Sequence, residues 1–547
     1  MPDLASSLQA LKERSGLSYA ELAERCRLSP STLHRYCRGQ TVPGSFGMVE
    51  RIAVACGADR DEMDGLYHVW AQADAARMSA SPSHTPEPAA PPSTTQAPSP
   101  TTVRRGHRPL WPAALMGLFL LVAATAAASA PLWAPSQARS TAGRPQAQQV
   151  SGPSWTQYPS AVPSAFYGVT MNSDSGAMPT FQVGGIRLWD SETRWAQVEP
   201  ERGRYDWRVL NRLVAAAGRR RLPVLYTFGG TPSWAAPSAP RGPYPDGSRV
   251  TPPDNLDDWV NFVQAVATRY AGRISAYELW ALAPSPHFFT GDPATLARMT
   301  ERASAVIRRA DPKATVVCPS IGDLWEQASQ RFLRGFAAAG GYQDCDVAGV
   351  KLYPRQDGDP PESFLPLAAT IDRTFHTAGV QPRLWDTGTT YRIPEDHPLD
   401  QARAIAYATR FYLIGMYLRY DRMYFYNWGG TKIPLVLQAD GGHPTAAAHA
   451  MATLQHWLAG ARITSCGHGT QDGLPARVWQ CRYLLRASAG QTSPHAVIRW
   501  TETGTTTMPI DRGARIVQTL DGASTPVAHT LRITEQPVLI TFSGGQH

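Results

Sequence analysis

From residue 4 to residue 70 the apolar positions recur three and four apart in four or five short runs, which predicts a small all-helical unit. Residues 110–133 are apolar or small at every position and carry no charge. At ~1.5 Å per residue such a helix outreaches a bilayer core of ~30 Å, so this run is expected to be a transmembrane helix. Between 165 and 460 strand-like runs alternate with helical patterns. The expected strands are 166–169, 185–188, 223–227, 276–280, 315–319, 347–352, 382–386 and 423–426, with helices between them such as 256–270, 294–310 and 401–419. Eight such units predict a (β/α)8 barrel. Residues 461–547 alternate over short strands such as 497–500 and 538–542, which predicts a small β-sandwich packed on the barrel. Stretches 79–108 and 135–164 are rich in Pro, Ser, Thr and Ala and bury too little to fold, so they read as linkers. The expected organisation is therefore multidomain: a helical head over 1–78, a linker, a membrane helix over 109–134, a second linker, a barrel over 165–460 and a β-sandwich over 461–547.

Composition alters this picture in two places. The chain of 547 residues has a net charge of +8, which alone would suggest a nucleic-acid partner. Residues 1–78, however, hold nine Lys or Arg against ten Asp or Glu, so any DNA contact must come from a local basic face. Arg104, Arg105 and Arg108 precede the apolar run, and the next positive charge after it is Arg139. That asymmetry places the N-terminus in the cytoplasm and the C-terminus outside, as a single-pass protein of the cell membrane. Cys26, Cys37 and Cys56 precede the run, whereas Cys318, Cys345, Cys466 and Cys481 follow it as an even set. An oxidising exterior permits the pairs 318 with 345 and 466 with 481, although spacing alone leaves connectivity open.

Within the head, Ser18-Tyr19-Ala20-Glu21 is a capping box, with Leu22 and Cys26 as the buried stripe of the helix it starts. Ser29-Pro30 starts the next helix after a tight connection. Two short helices so joined form a helix-turn-helix. Residues 17–23 through 31–39 resemble the phage-repressor (xenobiotic-response-element) family of DNA-binding heads. The resemblance implies that the second helix enters the major groove of double-stranded DNA. It implies Pro30, Ser31 and Arg35 at base edges, Tyr19 and Arg38 near phosphates, and Leu33 and Tyr36 packed inward. Pro30 stands where the family often has a hydrogen-bonding side chain, which leaves Arg35 for a bidentate guanine contact worth ~1–3 kcal/mol of discrimination. The acidic residues Asp59, Asp61, Glu62 and Asp64 are expected to face away from DNA, and they keep open a protein-binding role for the head.

Aromatic residues gather near the expected strand ends: Trp189, Trp195, Trp234, Trp280, Tyr353, Tyr391, Tyr426 and Trp428. In a barrel the C-terminal strand ends line the site, and rings there stack on sugars. The runs Ile186-Arg187-Leu188-Trp189, Trp195 to Trp207, Thr231-Pro232-Ser233-Trp234-Ala235 and Phe425-Tyr426-Asn427-Trp428 resemble the retaining glycoside hydrolases of the clan that includes family 39 β-xylosidases. That resemblance implies a carbohydrate cleft touched by Arg187, Trp189, Trp234, Trp280, Tyr353 and Trp428. It also implies two catalytic glutamates, after the fourth and seventh barrel strands. This chain has Leu282 and Gly388 at those positions, with Ala281 for the usual Asn and Lys351 where His is common. Glu278 and Asp386 lie ~13 Å and ~6.6 Å deeper along their strands, out of reach of a retaining pair.

These readings combine into a membrane-anchored transcriptional regulator that senses an extracellular oligo- or polysaccharide through an inactive barrel, with no cofactor and no metal expected. A homodimer is possible, because repressor-type heads act on paired half-sites. The alternatives are a membrane-anchored retaining glycoside hydrolase with relocated carboxylates, and a tether in which the barrel holds wall glycan while the head grips the nucleoid or a cytoskeletal partner.

Overall fold

The computed structural model describes residues 3–43 except 27 and 29, residues 49, 52–53, 55–58, 62, 65–66, 69–70 and 72–73, and residues 154–542 except 357, 389–398, 431–434 and 488–491. The chain divides into two compact units, 1–144 and 145–547. Residues 110–133 lie outside the described residues, as does Tyr391. Among the described residues no helix is long and apolar enough to cross a membrane.

The first unit begins with three helices: α1 (Leu4–Arg14), α2 (Tyr19–Cys26) and α3 (Pro30–Cys37). Asp3 caps α1 by accepting from the Ser6 amide at 2.8 Å. Ser18 and Glu21 close the capping box at α2: the Glu21 amide donates to Ser18 Oγ at 3.2 Å, and the Ser18 amide donates to Glu21 Oε2 at 2.8 Å. Leu4, Leu8 and Leu11 of α1 pack with Leu22, Ala23, Cys26, Leu33 and Cys37 into one core, completed by Val49, Ile52, Ala53, Cys56 and Leu66. Cys26, Cys37 and Cys56 are buried thiols of this core.

The second unit starts with a strand inside the stretch read as a linker. Strand β1 (Ser154–Ala161) pairs antiparallel with β10 (Arg462–His468). Its own composition is too polar to form a core, but a sheet edge supplies the backbone partners. Eight parallel strands then close a barrel: β2 (Tyr167–Met171), β3 (Gly185–Leu188), β4 (Val224–Thr227), β5 (Ala276–Glu278), β6 (Thr315–Ile321), β7 (Val347–Val350), β8 (Leu384–Asp386) and β9 (Arg422–Trp428). Each overlaps an expected strand. The returning helices are the short α4 (Trp195–Val198), α5 (Arg208–Arg219), α6 (Leu256–Arg269), α7 (Pro293–Ala310), α8 (Gln327–Ala338), α9 (Leu365–Thr377) and α10 (Gln401–Tyr417), followed by α11 (Ala446–Trp457).

Beyond the barrel, β1 and β10 are joined by β11 (Val478–Leu484), β12 (His495–Thr501), β14 (Ala514–Gln518), β15 (Ser524–Pro526) and β17 (Val538–Phe542) in one seven-stranded antiparallel sheet. Strands β13 (Thr506–Pro509) and β16 (Thr530–Ile533) form a separate pair, and Met508 and Ile533 pack with Val517 and Ile540 of the large sheet. The sheet is fixed to the barrel by Arg410, which donates to the Thr501 and Glu502 carbonyls at 2.8 and 2.7 Å, and by Trp500 Nε1, which donates to Glu362 at 2.7 Å. Cys318 on β6 is disulfide-bonded to Cys345 just before β7, with Cα atoms 5.4 Å apart. Cys466 and Cys481 are disulfide-bonded across directly paired positions of β10 and β11.

Candidate functional site

On α3, Leu33 and Cys37 are buried, while Pro30, Ser31, His34, Arg35 and Arg38 are exposed. With 3.6 residues per turn these positions share one outward face, so four of the five residues singled out in the head come together. Tyr36 is partly buried against the core. Tyr19 differs from the rest. Its hydroxyl donates to Gln9 at 2.7 Å, and its ring meets His34 edge-on at 5.2 Å with Lys12 above it at 4.8 Å, so it braces α1, α2 and α3. Sequence reasoning passed over His34, whose place on the exposed stripe was readable from its spacing to Ser31 and Arg38. Of the acidic residues, Glu62 is ion-paired with Arg14, and Asp59, Asp61 and Asp64 lie outside the described residues.

Inside the barrel the strands alternate, so residues two apart point the same way. Leu225, Ala276, Val317, Val347, Trp385 and Tyr424 form a small apolar cluster. Two residues beyond Leu225 and Ala276 come Thr227 and Glu278, and here the filling turns polar. Glu278 is 0% exposed. Its Oε2 accepts from Arg187 Nε and Thr227 Oγ1, each at 2.7 Å, and its Oε1 accepts from Thr387 Oγ1 at 2.8 Å, with Lys351 Nζ 3.7 Å away. Burial pushes the carboxyl up, but the Arg187 and Lys351 charges outweigh it and hold Glu278 down at about 2. Asp386 is equally buried, and its Oδ1 accepts from the Leu352 and Gly388 amides at 3.3 and 3.2 Å. Burial pushes Asp386 up and pushes Lys351 down, and Lys351 Nζ donates to the Thr387 carbonyl at 2.6 Å. Arg187 thus serves as the counter-ion of Glu278, not as an open sugar contact.

Leu282 follows the fourth barrel strand with φ +57°, a left-handed conformation that a leucine adopts at a strain of ~1–3 kcal/mol. Its side chain is buried against Gly322, where a Cβ would meet Leu282 Cδ2 at 2.8 Å. Gly388 follows the seventh strand with φ +89°, and a Cβ there would lie 2.8 Å from both the Tyr424 carbonyl oxygen and Thr170 Oγ1. The backbone therefore excludes any side chain at 388.

The aromatic residues divide sharply. Trp280 is 0% and Trp428 1% exposed, with indole nitrogens bonded to the Phe288 carbonyl at 3.1 Å and to Gln438 at 2.9 Å. Tyr353 and Trp189 are also buried, so the stacking faces expected of these four rings are packed against protein. The reason is loop cover: Trp189 Nε1 donates to Tyr244 Oη at 2.9 Å, Tyr244 donates to Asp190 at 2.9 Å, and Arg194 lies 3.6 Å over the Tyr244 ring while holding Asp246 at 2.8 Å. This latch joins loops distant in sequence, and nothing local signalled it. Trp234, Tyr244 and Trp325 remain half-buried on loops that follow strand C-termini. An open groove of about 600 Å³ elsewhere is lined by residues including Tyr205, Trp207, Asn211 and Arg269.

Comparison with known proteins finds matches for the two units separately. Residues 3–66 match the helix-turn-helix domain family, which makes the head a DNA-binding domain by type. No curated protein sequence matches the chain. A family 39 glycoside hydrolase from Bacteroides cellulosilyticus WH2 superposes with a TM-score of 0.50 at 16% identity, covering 66% of this chain and 76% of that one. A glucosidase from Croceicoccus marinus superposes with a TM-score of 0.51 at 13% identity, covering 71% and 98%. At such identities the likeness is one of fold: the chain joins a helix-turn-helix domain to a glycoside-hydrolase-like barrel.

Proposed function

We propose that this protein is a membrane-anchored DNA-binding regulator that senses an extracellular carbohydrate through a barrel that does not hydrolyse it. The observation that carries the inactive reading is Gly388, where the Tyr424 carbonyl and Thr170 leave no room for a carboxylate-bearing side chain. Leu282, packed on Gly322, offers no proton at the other position where the resemblance puts a catalytic glutamate. Glu278 and Asp386 do not replace them: both are fully buried, and Glu278 is neutralised by Arg187. Residues 110–133 supply the anchor, and the half-buried Trp234 and Trp325 supply the stacking faces. A ligand that gathers barrels outside would gather heads inside and raise their DNA affinity through effective concentration.

The test has three arms. Aryl glycosides and a glycan array are presented to purified residues 145–547, expecting retention of a glycan without turnover. A C-terminal reporter on the full chain is expected to be external. Genome-wide occupancy is expected at discrete sites. Robust turnover of an aryl glycoside by unmodified residues 145–547 would replace this reading with the hydrolase.

A further inference from the structure

Parallel strands put all eight strand starts, and the ends of the helices that return to them, at one end of the barrel. The connections at that end, residues 218–223, 269–275, 308–314, 338–346, 373–383 and 418–422, together hold twelve Lys or Arg and four Asp or Glu. Three of the four acids are already engaged. Asp346 pairs with Arg308 at 3.1 Å, Asp421 pairs with Arg383 at 3.2 Å, and buried Asp311 accepts from the Gly272 amide at 2.8 Å. Arg219, Arg220, Arg221, Arg308, Arg309 and Lys313 are all exposed. The negative end of a helix dipole favours a basic residue in its last turn, but its influence falls off within that turn. It accounts for Arg219, Arg308 and Arg309, not for Arg220, Arg221 and Lys313 beyond the helix ends.

Strand β1 begins at this same end. Trp155 Nε1 at the start of β1 donates to the Tyr417 carbonyl at 2.8 Å, and Arg419 lies 5.5 Å over the Trp155 ring. Tyr158, three residues on, is 86% exposed. Twenty residues separate Trp133 from Ser154, a reach of at most ~70 Å when fully extended. Strand β1, the first described strand after the apolar run, thus begins beside the basic end.

We propose that the strand-start end of the barrel docks on the anionic headgroups of a lipid bilayer, with Arg219, Arg220 and Arg221 in one contact and Arg308, Arg309 and Lys313 in another. The proposal rests on the membrane-anchored reading. Docking leaves the opposite, strand-end loops facing away from the bilayer, and it fixes the orientation of the barrel although the anchor is a single chain.

Residues 145–547 form a compact unit with its own core and lack the apolar run, so their binding to vesicles is independent of it. Co-sedimentation is measured with phosphatidylcholine vesicles containing phosphatidylglycerol and with phosphatidylcholine vesicles alone. Binding is expected only to the former and is expected to weaken with salt. The triple variants R219Q/R220Q/R221Q and R308Q/R309Q/K313Q should each bind roughly a hundredfold more weakly, at about fivefold per basic residue. R241Q/R298Q/R331Q, which removes as many exposed charges from the other end and from the first halves of helices, should bind as the parent does. Melting curves establish that all three are folded. Equal loss in all three variants, no preference for the anionic vesicles, or binding to DNA or an anionic wall polymer in place of vesicles would overturn the proposal. Failure of the external reporter with vesicle binding intact would sink the anchor alone.

Discussion

Arg187 Nε and Glu278 Oε2 stand 2.7 Å apart in the barrel interior, with 2% and 0% of their side chains exposed. The Glu278 carboxylate is committed to an arginine two strands away in the same barrel, to two threonines and to a nearby lysine. The group is structural.

Removing either partner leaves the other charge buried without its nearest counter-charge. Glu278→Gln and Arg187→Met are each expected to destabilise residues 145–547 by about 3–5 kcal/mol, measured by urea unfolding. A joint change, Arg187→Met with Glu278→Leu, should lose less than the sum of the single changes. Additive losses would contradict the pair.

The same cluster sets a pH dependence of stability. Glu278 is held at about 2 against an ordinary value of 4.5, so its contribution is whole above pH 4.5 and is lost as pH falls through about 2. Asp386 is shifted the other way by burial, from 3.8 to about 7. Its contribution is therefore whole below pH 3.8 and is lost as pH rises through about 7. Melting temperatures of Asp386→Asn against pH should lose the second dependence and keep the first.

The two positions that lack carboxylates should respond differently to restoration. Leu282→Glu exchanges a buried side chain beside Gly322 for a charged one at the mouth, and the fold should survive with reduced stability. Gly388→Glu meets the Tyr424 carbonyl and should abolish folding, as read by circular dichroism and solubility. Leu282→Glu alone should yield no turnover of aryl glycosides, because the second carboxylate is missing.

In the head, Arg35→Ala should relax the preference at one base pair, whereas Arg38→Ala should weaken binding to all sequences and reduce the salt slope by about one. Fluorescence anisotropy against an operator series at several salt concentrations separates the two. An equal effect of both changes at every base pair would remove Arg35 from base readout.

Trp428→Ala should act through the core. Its ring is 1% exposed, so the expected effect is a loss of stability of about 3–5 kcal/mol in thermal melts. Trp234→Ala, at a half-buried ring with Arg202 4.9 Å above it, should lower glycan retention while leaving the melting curve closer to that of the parent.

What the sequence determined by itself is what depends on neighbours along the chain. The capping box at Ser18 and Glu21, the buried stripe of Leu22 and Cys26, and the eight barrel strands rest on local hydrogen bonds and periodicities of 3.6 and 2, and each was legible from spacing. Pro30, Ser31, Arg35 and Arg38 were singled out by the resemblance to repressor-type heads, and the helix brings them to one exposed stripe. What only the tertiary structure decided is what depends on residues far apart. Strand β1 was too polar to announce itself and formed because β10, some three hundred residues later, offered an edge. Trp189, Trp280, Tyr353 and Trp428 have the composition of a sugar cleft, yet burial is set by what packs over a ring, and the Arg194 latch and Gln438 come from elsewhere in the chain. Gly388 could be read as a missing glutamate. That it leaves no space for one was fixed by the Tyr424 carbonyl, because steric exclusion belongs to the assembled barrel and not to any one strand.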